Sequence, residues 1–268
     1  MNLAGTCDKL GAVLRRDLLT SLRHRNGAIV LVAGITTELA GFYYLARAIG
    51  PTFRPDGLDY YSFLLIGTAM YGFMVGGMSA FVSAVEEAQM TGTMEVLMTT
   101  STPAPLMVAL SAFSAFAGRG VNMLLYLMAG SLIFSVKLHA SIAGVIAVLG
   151  LSLVVAIALG LVGAALQVAM QKGMAVVWLS SVVGGLLTGT VFPVTALPPV
   201  LRRLSAFIPL TPAVEGLRIA LFRGDATSLL AASLTKLGAF ALLLLPLSLA
   251  LFARVLKKAR REGTLSFY

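Results

Sequence analysis

Six apolar runs, each near or above the roughly 20 residues a helix needs to cross a bilayer, constrain this chain more than any motif in it. They lie at about 27–46, 60–82, 106–134, 142–168, 174–194 and 230–254. Inside hydrocarbon a backbone N–H or C=O finds no water, so each run must satisfy these groups within itself, as an α-helix does. An outer-membrane barrel would show alternating segments of about 10 residues instead, and no such alternation is visible. The expected fold is therefore an all-α integral membrane protein with six transmembrane helices. Composition agrees, with 58% hydrophobic and 12% charged residues, against about 25% charged in a soluble domain. Residues 1–268 are expected to form a single transmembrane domain, with no soluble catalytic domain beside the spans.

Several function classes are set aside by what the chain lacks. The lone Cys7 excludes an intramolecular disulfide, and with only His24 and His139 it leaves no ordinary zinc set. No G-x-x-x-x-G-K-[ST] phosphate loop, H-E-x-x-H or G-x-S-x-G is present, so no catalytic, cofactor or metal site is expected. If ATP drives the protein, the ATPase must be a separate chain. The net charge of +9 reads as topology and contact with lipid headgroups, not as nucleic-acid binding. The first apolar run begins near Gly27 and is long enough for a retained span, so no cleavable signal is expected.

Lys and Arg near the span ends orient the chain. With both termini in the cytoplasm, eleven fall inside (five in the N-terminal tail, five in the C-terminal tail, and Lys172) and seven outside, so termini-in is expected. In the N-terminal tail, Leu10, Val13, Leu14, Leu18 and Leu22 recur at helical spacing opposite Lys9, Arg15, Arg16 and Arg23. That pattern predicts an amphipathic helix over 8–25 lying in the membrane interface. Phe42, Tyr43 and Tyr44, with Tyr60, Tyr61 and Phe63, mark one outer level and read as an aromatic belt. Stacking on a sugar ring is the sharper alternative.

Between the second and third runs, residues 84–103 form a polar island with Glu86, Glu87 and Glu95 and no Lys or Arg. A cytoplasmic loop this short is ordinarily basic, so a docking surface for a soluble partner on the inner face is the simplest account. Thr91, Gly92 and Thr93 offer helix-start caps, which would put Glu95 in a first turn with a favourable dipole. The connector 196–228 is apolar but cut by Pro198, Pro199, Pro209 and Pro212. Two short helices are expected there, one near Leu201–Phe207 and one opened by Thr211-Pro212 and ended by Gly224. They suit a re-entrant hairpin on the outer side, near a pore mouth or gate.

Glu38 in the first run and Arg119 in the third are the charges inside spans that stand out. A charge at helix centre costs about 2.5–3.5 kcal/mol on insertion scales. Both are therefore candidates to line a translocation path or to pair across it; snorkelling is the alternative for Arg119. Gly72, Gly76, Gly77 and Ala80, and Gly184, Gly185 and Gly189, would allow close helix packing.

The sequence Glu87…Gly92-Thr93-Met94-Glu95…Pro103 resembles the cytoplasmic coupling loop of the type-2 ABC exporter permeases. Phe192-Pro193, Leu197-Pro198, Pro209…Glu215…Arg218 and the basic tail with Ala259-Arg260 and Gly263-Thr264-Leu265 are similar to further stretches of that family, in order along nearly the whole chain. The Gly-Lys pair that many members carry after the loop proline is missing from Leu106–Ser114.

The resemblance implies the membrane subunit of a bacterial exporter of drugs, polysaccharides or lipid-linked glycans. Such a subunit sits in the inner membrane, pairs with a second permease chain as homo- or heterodimer, and binds two P-loop ATPase subunits that carry the ATP and Mg. It assigns ATPase coupling to Glu87, Gly92, Thr93 and Glu95, to which the acidic loop itself adds Glu86 and Gln89 as candidates, and an outer re-entrant gate is expected at Pro193, Pro198, Pro209, Pro212, Glu215 and Arg218. An ion-coupled secondary transporter is the alternative; it would lean on Glu38, and no internal repeat supports it.

Overall fold

The computed structural model describes residues 25–91, 104–136, 140–222 and 227–262. The expected interfacial helix over 8–25 lies outside these residues except for Arg25, and so do Gly92–Pro103, Gly224 and the Gly263-Thr264-Leu265 stretch. Among the described residues there are eight α-helices and no strand: α1 (Arg25–Ile49), α2 (Tyr60–Met90), α3 (Ala104–Ile133), α4 (Ile142–Met170), α5 (Gly173–Leu187), α6 (Pro199–Ser205), α7 (Leu210–Phe222) and α8 (Thr227–Glu262). A helix occupies the place of each of the six apolar runs. Three of them, α2, α4 and α8, are long and apolar enough to cross a membrane, and the α6–α7 pair, bent by 81°, would add a fourth if it is one span.

The core is built on α2 and α4. Asp59 starts α2 by accepting from the Ser62 backbone N–H at 3.0 Å and from its hydroxyl at 2.7 Å, which satisfies one of the orphan donors of a helix start. Along α4, Ser152, Ala156, Gly160 and Ala164 set a small residue on the buried face at every fourth position. Phe81 of α2 seats against Gly160, where an added Cβ would lie 3.1 Å from its ring. This is the close approach that small-residue stripes allow in membrane bundles. Helix α8 packs along α4, α3 lies on α2, and α1 rests mainly on α2. The outer surface is apolar, with Val30, Leu132, Ile142 and Leu242 all more than 70% exposed. Such a surface suits hydrocarbon and not water.

The fifth run differs from its expected form. Helix α5 ends at Leu187 after 15 residues, and 188–193 continue as irregular backbone although Thr188, Gly189, Thr190 and Pro193 are buried. The second connector helix also differs. It opens at Leu210, one residue ahead of Thr211, and the Thr211 hydroxyl donates 2.8 Å back to the Ser205 carbonyl, tying α6 to α7 instead of capping a helix start. The aromatic level is largely an internal cluster. Tyr43 stacks on Phe134 at 4.5 Å, Tyr61 lies 4.8 Å from Phe134, and Tyr60 and Tyr61 are buried, while Tyr44 faces outward. The rings fasten the ends of α1, α2 and α3 together.

Candidate functional site

Three places in the fold carry the residues singled out by the sequence. The first is the C-terminal end of α2. At 1.5 Å per residue its 31 residues run about 46 Å, against a hydrocarbon core of about 30 Å. Set upright across such a core, it would extend past it by roughly ten residues. Glu86 is half-buried, Glu87 exposed and Gln89 buried, and no described partner meets the Gln89 Oε1. Thr91 closes the helix, its N–H and hydroxyl both donating to the Glu87 carbonyl at 2.9 and 2.8 Å. It thus ends α2, where a helix-start role was expected. A carboxylate in a last turn faces the negative end of the helix dipole, so Glu87 is not there for the stability of α2. Gly92, Thr93 and Glu95 lie outside the described residues.

The second place is the irregular backbone after α5. Gly189 has φ +79°, a conformation that costs a side chain but suits glycine, and its carbonyl turns toward α7. There Arg218, 6% exposed, donates through Nη2 to the Gly189 carbonyl at 2.7 Å and to the Phe63 carbonyl at 2.9 Å. Its guanidinium lies 3.4 Å over the Phe63 ring. Gly67 makes room for this contact, since a Cβ there would fall 2.4 Å from the Thr190 carbonyl and 2.9 Å from Arg218 Nη2. Tyr60 adds a hydroxyl to the Val191 carbonyl at 3.3 Å. One arginine thereby joins α7, the break after α5 and the N-terminal end of α2. Of the other residues assigned to this region, Pro193, Pro209 and Pro212 are buried, Glu215 is half-buried and Pro198 is exposed. Glu215 and Arg218 also line a cleft of about 240 Å³ with Asp56.

The third place is a groove of about 320 Å³ between α1, α2 and α3, and it brings Glu38 and Arg119 together. Its other polar lining residues are Thr68, Tyr71, Asn122 and Tyr126, set among Ala69, Phe73 and Met123, and the Tyr71 hydroxyl is turned to the Ser181 carbonyl. Both charges are exposed on the single chain, and each lies near the middle of its helix. Arg119 lies across Gly76, where an added Cβ would meet its Cδ at 3.2 Å and its Nε at 3.3 Å. Tyr126 contacts the Thr68 hydroxyl at 3.1 Å, and Glu38 interacts with Tyr126. No ion pair joins Glu38 to Arg119. The polar lining contributed by Thr68, Asn122 and Tyr126 was not singled out by the sequence; a signal was available, because Asn122 and Tyr126 follow Arg119 at helical spacing.

A family model described as ABC-2 type transporter matches residues 9–222 of the 268. The chain belongs to the ABC-2 type transporter family. No curated protein matches it. The ABC-2 assignment makes the chain a multi-pass membrane permease, a transport subunit of a family that generally works with an ATPase subunit. The match takes in all three places described above, from α1 to the end of α7.

Proposed function

We propose that this ABC-2 permease is the membrane subunit of an ATP-driven exporter of an amphipathic cargo, a drug, a lipid or a glycolipid. It sits in a bacterial inner membrane with both termini cytoplasmic and six spans. It pairs with a second permease chain, identical or related, and two P-loop ATPases bind below and carry the ATP and Mg. The family match over 9–222 carries this reading. The length of α2 supports a coupling role for residues 86–98, because a helix longer than the bilayer core delivers its acidic end to a partner outside it. The 81° bend between α6 and α7 supports a re-entrant outer hairpin. Closure of the ATPases would push on the inner end of α2, rock the bundle, and open a path between subunits.

The test is purification of the intact complex from native membranes in mild detergent, followed by identification of what stays bound. A stoichiometric P-loop ATPase, with substrate-stimulated ATP hydrolysis lost in Glu95→Lys while membrane insertion persists, is the expected result. Retained coupling in that variant would remove the loop from the mechanism. A preparation without any ATPase, even after crosslinking, would favour the ion-coupled alternative and make Glu38 the next residue to change.

A further inference from the structure

Among the described residues, the two charges in the α1–α2–α3 groove have no neutralising partner, although both sit at mid-helix. Arg119 uses none of its five N–H donors on the protein: it makes no hydrogen bond and no ion pair among the described residues. Glu38 is also under-used. The Thr68 hydroxyl donates to the Leu64 carbonyl at 2.7 Å, which leaves the single Tyr126 proton to serve either Thr68 or Glu38. A carboxylate has about four acceptor positions, so Glu38 keeps most of its capacity open to the groove. Placing two such groups at mid-helix is expensive unless something polar meets them.

Their separation says what that something is. Tyr126, beside Glu38, is level with Thr68 on α2, and Arg119 is level with Gly76. Eight residues of helix set the two levels about 12 Å apart, and no ion pair joins the two groups. Two charge-assisted hydrogen bonds of about 2.8 Å each would leave roughly 6 Å between them, the reach of an ammonium and a phosphate separated by two carbons. Asn122 can bond either end, and Ala69, Phe73 and Met123 offer apolar contact to a chain attached to the head. Gly72 keeps the floor of the groove open, with nothing within 4 Å of a Cβ built there.

We propose that this groove binds a zwitterionic amphiphile, its ammonium on Glu38 and its phosphate on Arg119. The inference rests on the permease reading for its biological meaning, but binding itself needs no ATP. The occupant is either a resident bilayer lipid or the cargo. Both present the same head.

The experiment is native mass spectrometry of the full-length permease released from nanodiscs holding equal amounts of phosphatidylethanolamine and phosphatidylglycerol. Wild type should retain phosphatidylethanolamine over phosphatidylglycerol by roughly tenfold, the loss of one charged hydrogen bond being worth about that factor. Glu38→Gln should erase the preference while leaving phosphatidylglycerol bound through Arg119. Arg119→Gln should release both lipids, and Gly72→Trp, which fills the groove on an exposed helix face, should do the same with both charges present. No preference in wild type, or a preference unchanged in Glu38→Gln and Arg119→Gln, would overturn the proposal. So would efficient copy-to-copy crosslinking through Gly72→Cys in a Cys7→Ser background, since the groove would then be covered by a second chain. With the ATPase and ATP added, outward movement of labelled phosphatidylethanolamine marks it as cargo, and retention without movement marks it as resident. A chain that binds the lipid but recruits no ATPase would refute the exporter and leave the site standing.

Discussion

Arg119 and Arg218 carry the same guanidinium on helices of one bundle, yet their surroundings are opposite. Arg218 is buried and bound by two backbone carbonyls and an aromatic face, while Arg119 lies along Gly76 at the edge of a groove with no hydrogen bond among the described residues. The difference follows from what each neighbourhood leaves unsatisfied. Helix α5 stops short of a full span, so its irregular extension carries carbonyls that must find donors inside the protein. Arg218 supplies them. Around Arg119 the helices α2 and α3 are continuous and their own bonds absorb the backbone groups, so nothing among the described residues asks for its protons. A buried arginine here is part of the fold, and an exposed one at mid-helix is available to a ligand.

The largest expected effect breaks the first half of that contrast. Arg218→Met keeps volume but leaves the Gly189 carbonyl without its donor, takes an extra bond from the Phe63 carbonyl inside α2, and removes the stacked cation. A cost of about 3–5 kcal/mol is expected from the orphaned carbonyl and the lost contacts. Thermal unfolding of the purified chain in mild detergent should show it as a large drop in midpoint. Arg218→Lys should recover only part, because an ammonium cannot reproduce a planar group lying on a ring. Arg119→Ala should change stability by no more than about 0.5 kcal/mol. Equal losses at the two positions would end the distinction between anchor and site.

A smaller effect sharpens the same comparison without touching either charge. Gly67 and Gly72 lie five residues apart on α2, one against Arg218 and one in the groove. Gly67→Ala would push a Cβ to 2.4 Å from the Thr190 carbonyl, a backbone atom that cannot swing aside. About 1–3 kcal/mol of overpacking is expected. Gly72→Ala meets nothing within 4 Å and should be neutral, or stabilising by up to about 1 kcal/mol from helix propensity. Parallel unfolding curves of the two variants decide it; a penalty at Gly72 would mean that the groove is closed by packing.

Much of this architecture was legible in the chain because hydrocarbon leaves the backbone few options. Long apolar runs became helices at each of the expected places, and the proline spacing of 196–228 foretold two short helices in place of one span. The failures have one physical source. Period and composition mark where a helix is affordable, but they do not say where tertiary contacts let it stop. The end of α5 at Leu187 depends on Arg218, a residue 31 positions later, and no local pattern encodes that. The aromatic level differs for the same reason. Tyr43 and Tyr61 look like belt residues one at a time, and only their meeting with Phe134 across three helices shows a cluster. For the groove, Glu38 and Arg119 could be named from their cost in a bilayer, whereas their separation and the spare donors of Arg119 required the helices to be set side by side.

The smallest expected effect concerns the C-terminal end of α2, where stability and function should move in opposite directions. Glu87 sits in the last turn of a 31-residue helix that has no basic residue there. Glu87→Lys would place a cation at the negative end of the dipole, so the isolated chain should gain about 0.5 kcal/mol. If Glu87 were only a solvated surface residue, ATP-driven transport would follow stability and stay intact. If the acidic end of α2 faces an ATPase, reversal of its charge should weaken recruitment of that subunit, and the defect should deepen as salt is lowered, because exposed charges repel over a longer range. The two measurements, unfolding of the lone permease and salt-dependent ATPase retention, are made on the same variant. A rise in stability with loss of retention identifies a surface kept for its partner at the expense of its own helix.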